Sequence, residues 1–85
     1  MATVKFAAYG ALKDGNPDKT QAMDVTAALQ TAIDGAEFVG LVTIDNDTLG
    51  GDPAKNSKKH FAAIVNVDGQ DRAFACQEGQ TINFG

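Results

Sequence analysis

The sequence predicts an α+β domain: a small antiparallel β-sandwich of about five strands with one short helix. Three observations carry that expectation. Thr3 to Tyr9 alternates in polarity, Val25 to Ile33 repeats apolar residues at helical spacing, and Asp68-Gly69 separates two apolar runs.

The first strand is expected over Thr3 to Tyr9, ending at Gly10. Val4, Phe6 and Ala8 fall on one face and Thr3, Lys5, Ala7 and Tyr9 on the other. Leu12 to Gln21 reads as a polar surface connector turning at Asp14-Gly15-Asn16-Pro17. Asp24 then has the chemistry of a helix N-cap, a carboxylate that accepts from the first turn. Val25, Leu29, Ala32 and Ile33 form one apolar stripe, and Asp34-Gly35 ends the helix with Gly35 suited to a left-handed C′ position. So short a helix has little intrinsic stability and must pack its stripe on a sheet.

Glu37 to Ile44 carries Phe38, Val39, Leu41, Val42 and Ile44, which predicts a central strand covered on both faces and closed by Asp45-Asn46-Asp47-Thr48. Phe61 to Val67 is a further apolar strand. Asp68-Gly69 returns the chain into Ala73 to Gln77, because both turn positions tolerate positive φ. A last turn at Glu78-Gly79 leads to an edge strand over Thr81 to Phe84.

Eighty-five residues make a single domain spanning 1–85, near the size at which one core suffices. A formal charge of −4 argues against general affinity for nucleic acid or anionic membrane. One cysteine, Cys76, excludes an internal disulfide. The opening residues carry neither a basic n-region nor an apolar h-region, and no apolar run reaches the ~20 residues of a membrane span. The expectation is a cytoplasmic protein, with export by an unconventional route as the alternative.

Catalytic and metal chemistry find little support. Cys76 and His60 are the sole Cys/His pair, and Cys76 alternates with Phe74 as a buried small residue would. Asp45, Asp47 and Asp52 loosely follow a calcium loop, but the twelfth position from Asp45 is Asn56 where a bidentate Glu is required. Gly50-Gly51-Asp52-Pro53 sets a carboxylate where a phosphate would sit, and Pro53 lacks an N–H. No enzyme activity, metal or cofactor is expected.

Leu49 to Phe61 remains as a recognition loop. Its glycines allow close backbone approach, while Asp52, Asn56 and Lys59 supply the acceptors and donors that vicinal sugar hydroxyls require. Turn architecture with solvated lysines is the alternative origin of the same residues.

Ala8-Tyr9-Gly10 and the segment Gly51-Asp52-Pro53 through Lys59-His60-Phe61 resemble the two signatures of the SUEL-type (rhamnose/galactose-binding) lectin domain. With Asp24-Val25-Thr26 and Leu29-Gln30 added, the chain also resembles the C-terminal domain of a mitochondrial-membrane J-domain (DnaJ-like) co-chaperone, over most of its length. The lectin resemblance implies a small antiparallel sandwich and a sugar site at Tyr9, Asp52 and Lys59, with Asn46 beside them. Two departures stand out: Ala54 replaces the cysteine of the D-P-C motif, and Asn56 replaces the loop glycine. The expected function is carbohydrate binding by a non-catalytic module through Tyr9, Asn46, Asp52, Asn56 and Lys59. The alternative is a protein-interaction or assembly module, with a protein partner or homo-oligomer and no small ligand.

Overall fold

A computed structural model describes residues 2–12, 20–36 and 40–85 of the chain. Antiparallel strands dominate, with two short helices, and form two open sheets. In chain order these are β1 (Ala2–Leu12), β2 (Thr20–Asp24), α1 (Thr26–Asp34), β3 (Leu41–Thr43), α2 (Asn46–Leu49), β4 (His60–Val67), β5 (Gln70–Gln77) and β6 (Thr81–Asn83). The larger sheet has the order β2-β1-β4-β5; β3 and β6 form a separate pair. Among the described residues, six strands in two open sheets thus stand in place of the sandwich of about five strands expected.

β1 runs beyond Gly10, and its faces differ from the expected alternation. The register against β4 shifts between Val4 and Phe6, a bulge that inserts one residue and reverses the side chains beyond it. Val4, Ala7 and Tyr9 therefore point into the core together, while Phe6 is 52% exposed on the far face. α1 supports β1 where β2 does not reach: Gln30 Oε1 accepts from Val4 N–H at 2.7 Å, and Thr26 Oγ1 from Ala7 N–H at 3.0 Å. Gln30 Nε2 also donates to the Ala2 carbonyl at 3.1 Å. These bonds satisfy backbone that a bulged strand would otherwise leave unpaired.

The expected connector contains a strand at its end, β2, paired to β1 from Ala8↔Asp24 to Leu12↔Thr20; the Asp14-Gly15-Asn16-Pro17 turn lies outside the described residues. Asp24 closes β2 instead of capping α1 directly. Its carboxylate still accepts from Thr26 N–H at 2.9 Å and from Thr26 Oγ1 at 2.6 Å, and Val25 takes the N-cap position. α1 ends at Gly35 with φ −95°, so this glycine is not left-handed as anticipated.

The strand expected over Glu37 to Ile44 shortens to Leu41–Thr43, and its first part lies outside the described residues. It pairs only with β6 among them, so it is not central. Asp45 does not merely end it: it N-caps α2, accepting from Thr48 N–H at 2.8 Å. The β4–β5 hairpin turns where expected, with Asp68 (φ 51°) and Gly69 (φ 91°) both in the positive-φ region that a two-residue turn requires.

α1 and the β3–β6 pair cover one face of the large sheet. Between the layers lie Tyr9, Leu29, Val42, Ile44, Phe61, Val65 and Phe84. Phe74 meets Phe84 edge-on at 4.7 Å between ring centres, tying β5 to the chain end. No helix among the described residues is long and apolar enough to cross a membrane.

Candidate functional site

The segment from Asp45 to Lys59 forms one margin of this core. α2 is only four residues long and ends in Gly50, whose φ of 90° is the left-handed C-cap conformation. The chain then turns through Asp52-Pro53, with Asp52 Oδ1 accepting from Ala54 N–H at 3.1 Å. Ala54 is fully buried.

Lys59 is the centre of the arrangement. Its side chain turns inward and is 4% exposed. The ammonium donates to the carbonyls of Ser57 (2.9 Å) and Ala54 (3.3 Å), and lies 3.0 Å from Asp52 Oδ1 and 3.4 Å from Glu78 Oε1. Glu78 grips the same residue twice more: Oε1 accepts from Lys59 N–H at 2.8 Å, and Glu78 N–H donates to the Lys59 carbonyl at 3.0 Å. Burial works to lower the Lys59 pKa, but the bonds to Asp52 and Glu78 outweigh it and raise it. The partner carboxylates move the other way. The bond from Lys59 holds Asp52 low, and the Lys59 backbone N–H followed by its ammonium does the same for Glu78.

Tyr9 approaches from β1. It is fully buried and donates its hydroxyl to Asn46 Oδ1 at 2.8 Å. Burial, then the charges of Glu78, Asp45 and Asp52, push the phenol up to about 12. Four of the residues named from sequence, Tyr9, Asn46, Asp52 and Lys59, therefore share one locality. Asn56 does not join their bonds; it is exposed at the loop, with φ 64°. Glu78 completes the cluster and was read from sequence only as a turn residue.

In chemical terms the cluster is a clamp. One protonated amine bridges two carboxylates and two carbonyls, leaving one net negative charge, and fixes the Gly-Gly-Asp-Pro loop against the β5–β6 turn. The Cys/His pair does not form a dyad: Cys76 lies opposite Phe61 on the inner face, so the neighbouring His60 points outward. Burial raises the Cys76 thiol, which disfavours thiolate. Among the described residues no three His, Cys, Asp or Glu side chains are grouped to hold a metal ion.

The second notable surface is the other face of the large sheet. Phe6, Ala8, Ala62, Ile64, Ala73 and Ala75 line a shallow groove of about 290 Å³ there. Phe6 is 52% and Ile64 40% exposed, and the two are register neighbours on β1 and β4. The volume is at the low end for ligand pockets, which usually enclose most of a small molecule.

Compared with protein-family models, curated proteins and solved structures, the chain matches none.

Proposed function

We propose that this chain is a non-catalytic recognition module acting through protein contact, its working surface being the face of the large sheet that none of the described elements covers. The supporting observation is the adjacent exposure of Phe6 and Ile64 in a field of alanines. Scattered exposed apolar residues are ordinary, but a contiguous apolar sheet face marks an interaction surface. Alanines keep the face flat and allow a partner's side chains to reach the strand backbone.

Carbohydrate binding through Tyr9, Asn46, Asp52, Asn56 and Lys59 remains a proposal that the same residues motivate. What weighs against it is the Lys59 ammonium, which would have to leave four protein oxygens to meet a sugar hydroxyl. Tyr9 would likewise have to leave the core.

A photo-crosslinking side chain at Ile64, with one at the exposed Asp47 of α2 as control, tests the protein-contact reading in cells of origin. Adducts from position 64 and none from position 47 are expected. Absence of any adduct from position 64 would defeat it.

A further inference from the structure

We infer that this sheet face is occupied by a second copy of this chain, the two sheets packing face to face; this rests on the protein-contact reading of that face. Size is the first argument. A two-fold axis across the strands between Phe6 and Ala8 overlays β1, β4 and β5 but not β2, whose 5 residues all lie on one side of it, so the shared face is roughly 14 by 26 Å at about 4.8 Å per strand and about 3.3 Å per residue. That is roughly 370 Å² in projection and roughly 750 Å² for the two copies, the size of a weak contact that forms at high concentration.

Relief is the second argument. The register places Phe6, Ile64 and Ala73 in one row across the sheet and Ala8, Ala62 and Ala75 in the next. The first row stands high at Phe6 and Ile64; the second is low throughout. A two-fold axis running across the strands between these rows sets Phe6 and Ile64 of one copy over Ala8 and Ala62 of the other, twice. The face is thus complementary to itself, which a symmetric dimer requires.

Charge is the third. The same axis lays the row Thr3, Asn66, Asp71 over the row Gly10, His60, Gln77 of the partner, so Asp71, with Lys5 3.9 Å from it, meets the uncharged Gln77, and Asp24 stands apart at the β2 edge of the face. The apolar rows end up in the middle with polar residues around them. The pairing also yields the layered sandwich that the sequence predicts, with the second sheet supplied by the second copy.

Light scattering across about 5 µM to 1 mM tests this, since an interface of this size dissociates on dilution. The expected result is a mass rising from one chain to two. Phe6→Lys and Ile64→Lys, each checked for native circular dichroism, should both stay at one chain. Ala27→Lys, on the exposed side of α1, should dimerise like the parent. Added salt should strengthen the dimer, because each copy carries a net charge of −4 and the contact itself is apolar. A parent chain that keeps the mass of one copy at the highest concentration overturns the inference, as does undiminished dimerisation of both lysine variants. A monomeric parent that still crosslinks another protein from position 64 overturns the second copy alone; one that crosslinks nothing overturns the protein-contact reading as well.

Discussion

Tyr9 donates its hydroxyl to Asn46 Oδ1 at 2.8 Å from a position with no solvent exposure, joining the middle of β1 to the first residue of α2. This is the sole tyrosine of a chain without tryptophan, so its ionisation can be followed by absorbance free of other residues. Burial and the nearby carboxylates raise the phenol from 10.0 to about 12. A raised pKa means that the fold prefers the neutral phenol. The contribution is complete below about pH 10 and is lost as pH rises toward about 12. The phenolate band should therefore appear near pH 12 in native buffer and near pH 10 in concentrated urea. A native midpoint at 10 would show that Tyr9 is not held as described. Tyr9→Phe should cost about 1 kcal/mol, the usual net value of one hydrogen bond.

Lys59 tests the clamp. Lys59→Met keeps an apolar stem of similar length and removes the ammonium from Asp52, Glu78 and the two carbonyls. Its thermal midpoint should fall several times further than that of Lys55→Met or Lys58→Met, whose lysines are exposed. Hydrogen exchange should show the same change locally, with faster exchange at Ala54, whose N–H bonds to Asp52. Equal, small effects at all three lysines would reduce Lys59 to an ordinary surface charge.

Sequence reasoning reached those parts whose signal is local. Val25, Leu29, Ala32 and Ile33 marked a helix because apolar spacing alone decides it, and Asp68-Gly69 marked a hairpin because positive φ is a property of those two residues. β2 escaped notice because Thr20–Asp24 is short and polar; its strand character comes from pairing with β1, a partner across the loop. The bulge after Val4 was equally hidden, since it depends on β4 and on Gln30. At the candidate site, the proximity of Tyr9, Asp52 and Lys59 was legible from their motifs. The inward turn of Lys59 was not, because a lysine stem lies as readily along a surface as under it. Glu78, twenty-six residues beyond Asp52, carried no sequence sign of its bonds to Lys59.

The acid limb of stability should be set by the clamp carboxylates. Asp52 and Glu78 are held below their ordinary values of 3.8 and 4.5. A lowered pKa contributes stability that is complete above the unfolded value and disappears as pH falls through the folded one. Urea midpoints should thus be flat with respect to these two groups above about pH 5 and decline below it. Glu78→Gln should flatten the decline. The gap between parent and Lys59→Met should also narrow as the carboxylates protonate. A gap that stays constant down to about pH 2.5 would mean that the Lys59 charge takes no part in it.

Two glycines separate a packing requirement from a conformational one. At Gly10 an added Cβ would lie 2.2 Å from the Gln21 carbonyl oxygen and 2.4 Å from Ala22 Cα. Both are backbone atoms of β2, so nothing yields unless β2 leaves β1. At Gly50 the same atom meets nothing within 4 Å, and only the φ of 90° opposes a side chain. Gly50→Ala should cost about 1 kcal/mol, the strain of a left-handed residue. Gly10→Ala should cost about 3 kcal/mol, the upper range for overpacking. It should also expose the β2 amides to exchange while the β4–β5 hairpin stays protected. Urea unfolding of the two variants ranks them directly. If Gly10→Ala proves no worse than Gly50→Ala, then β2 does not press on β1 at this point, and the glycine after Tyr9 answers to something other than strand contact.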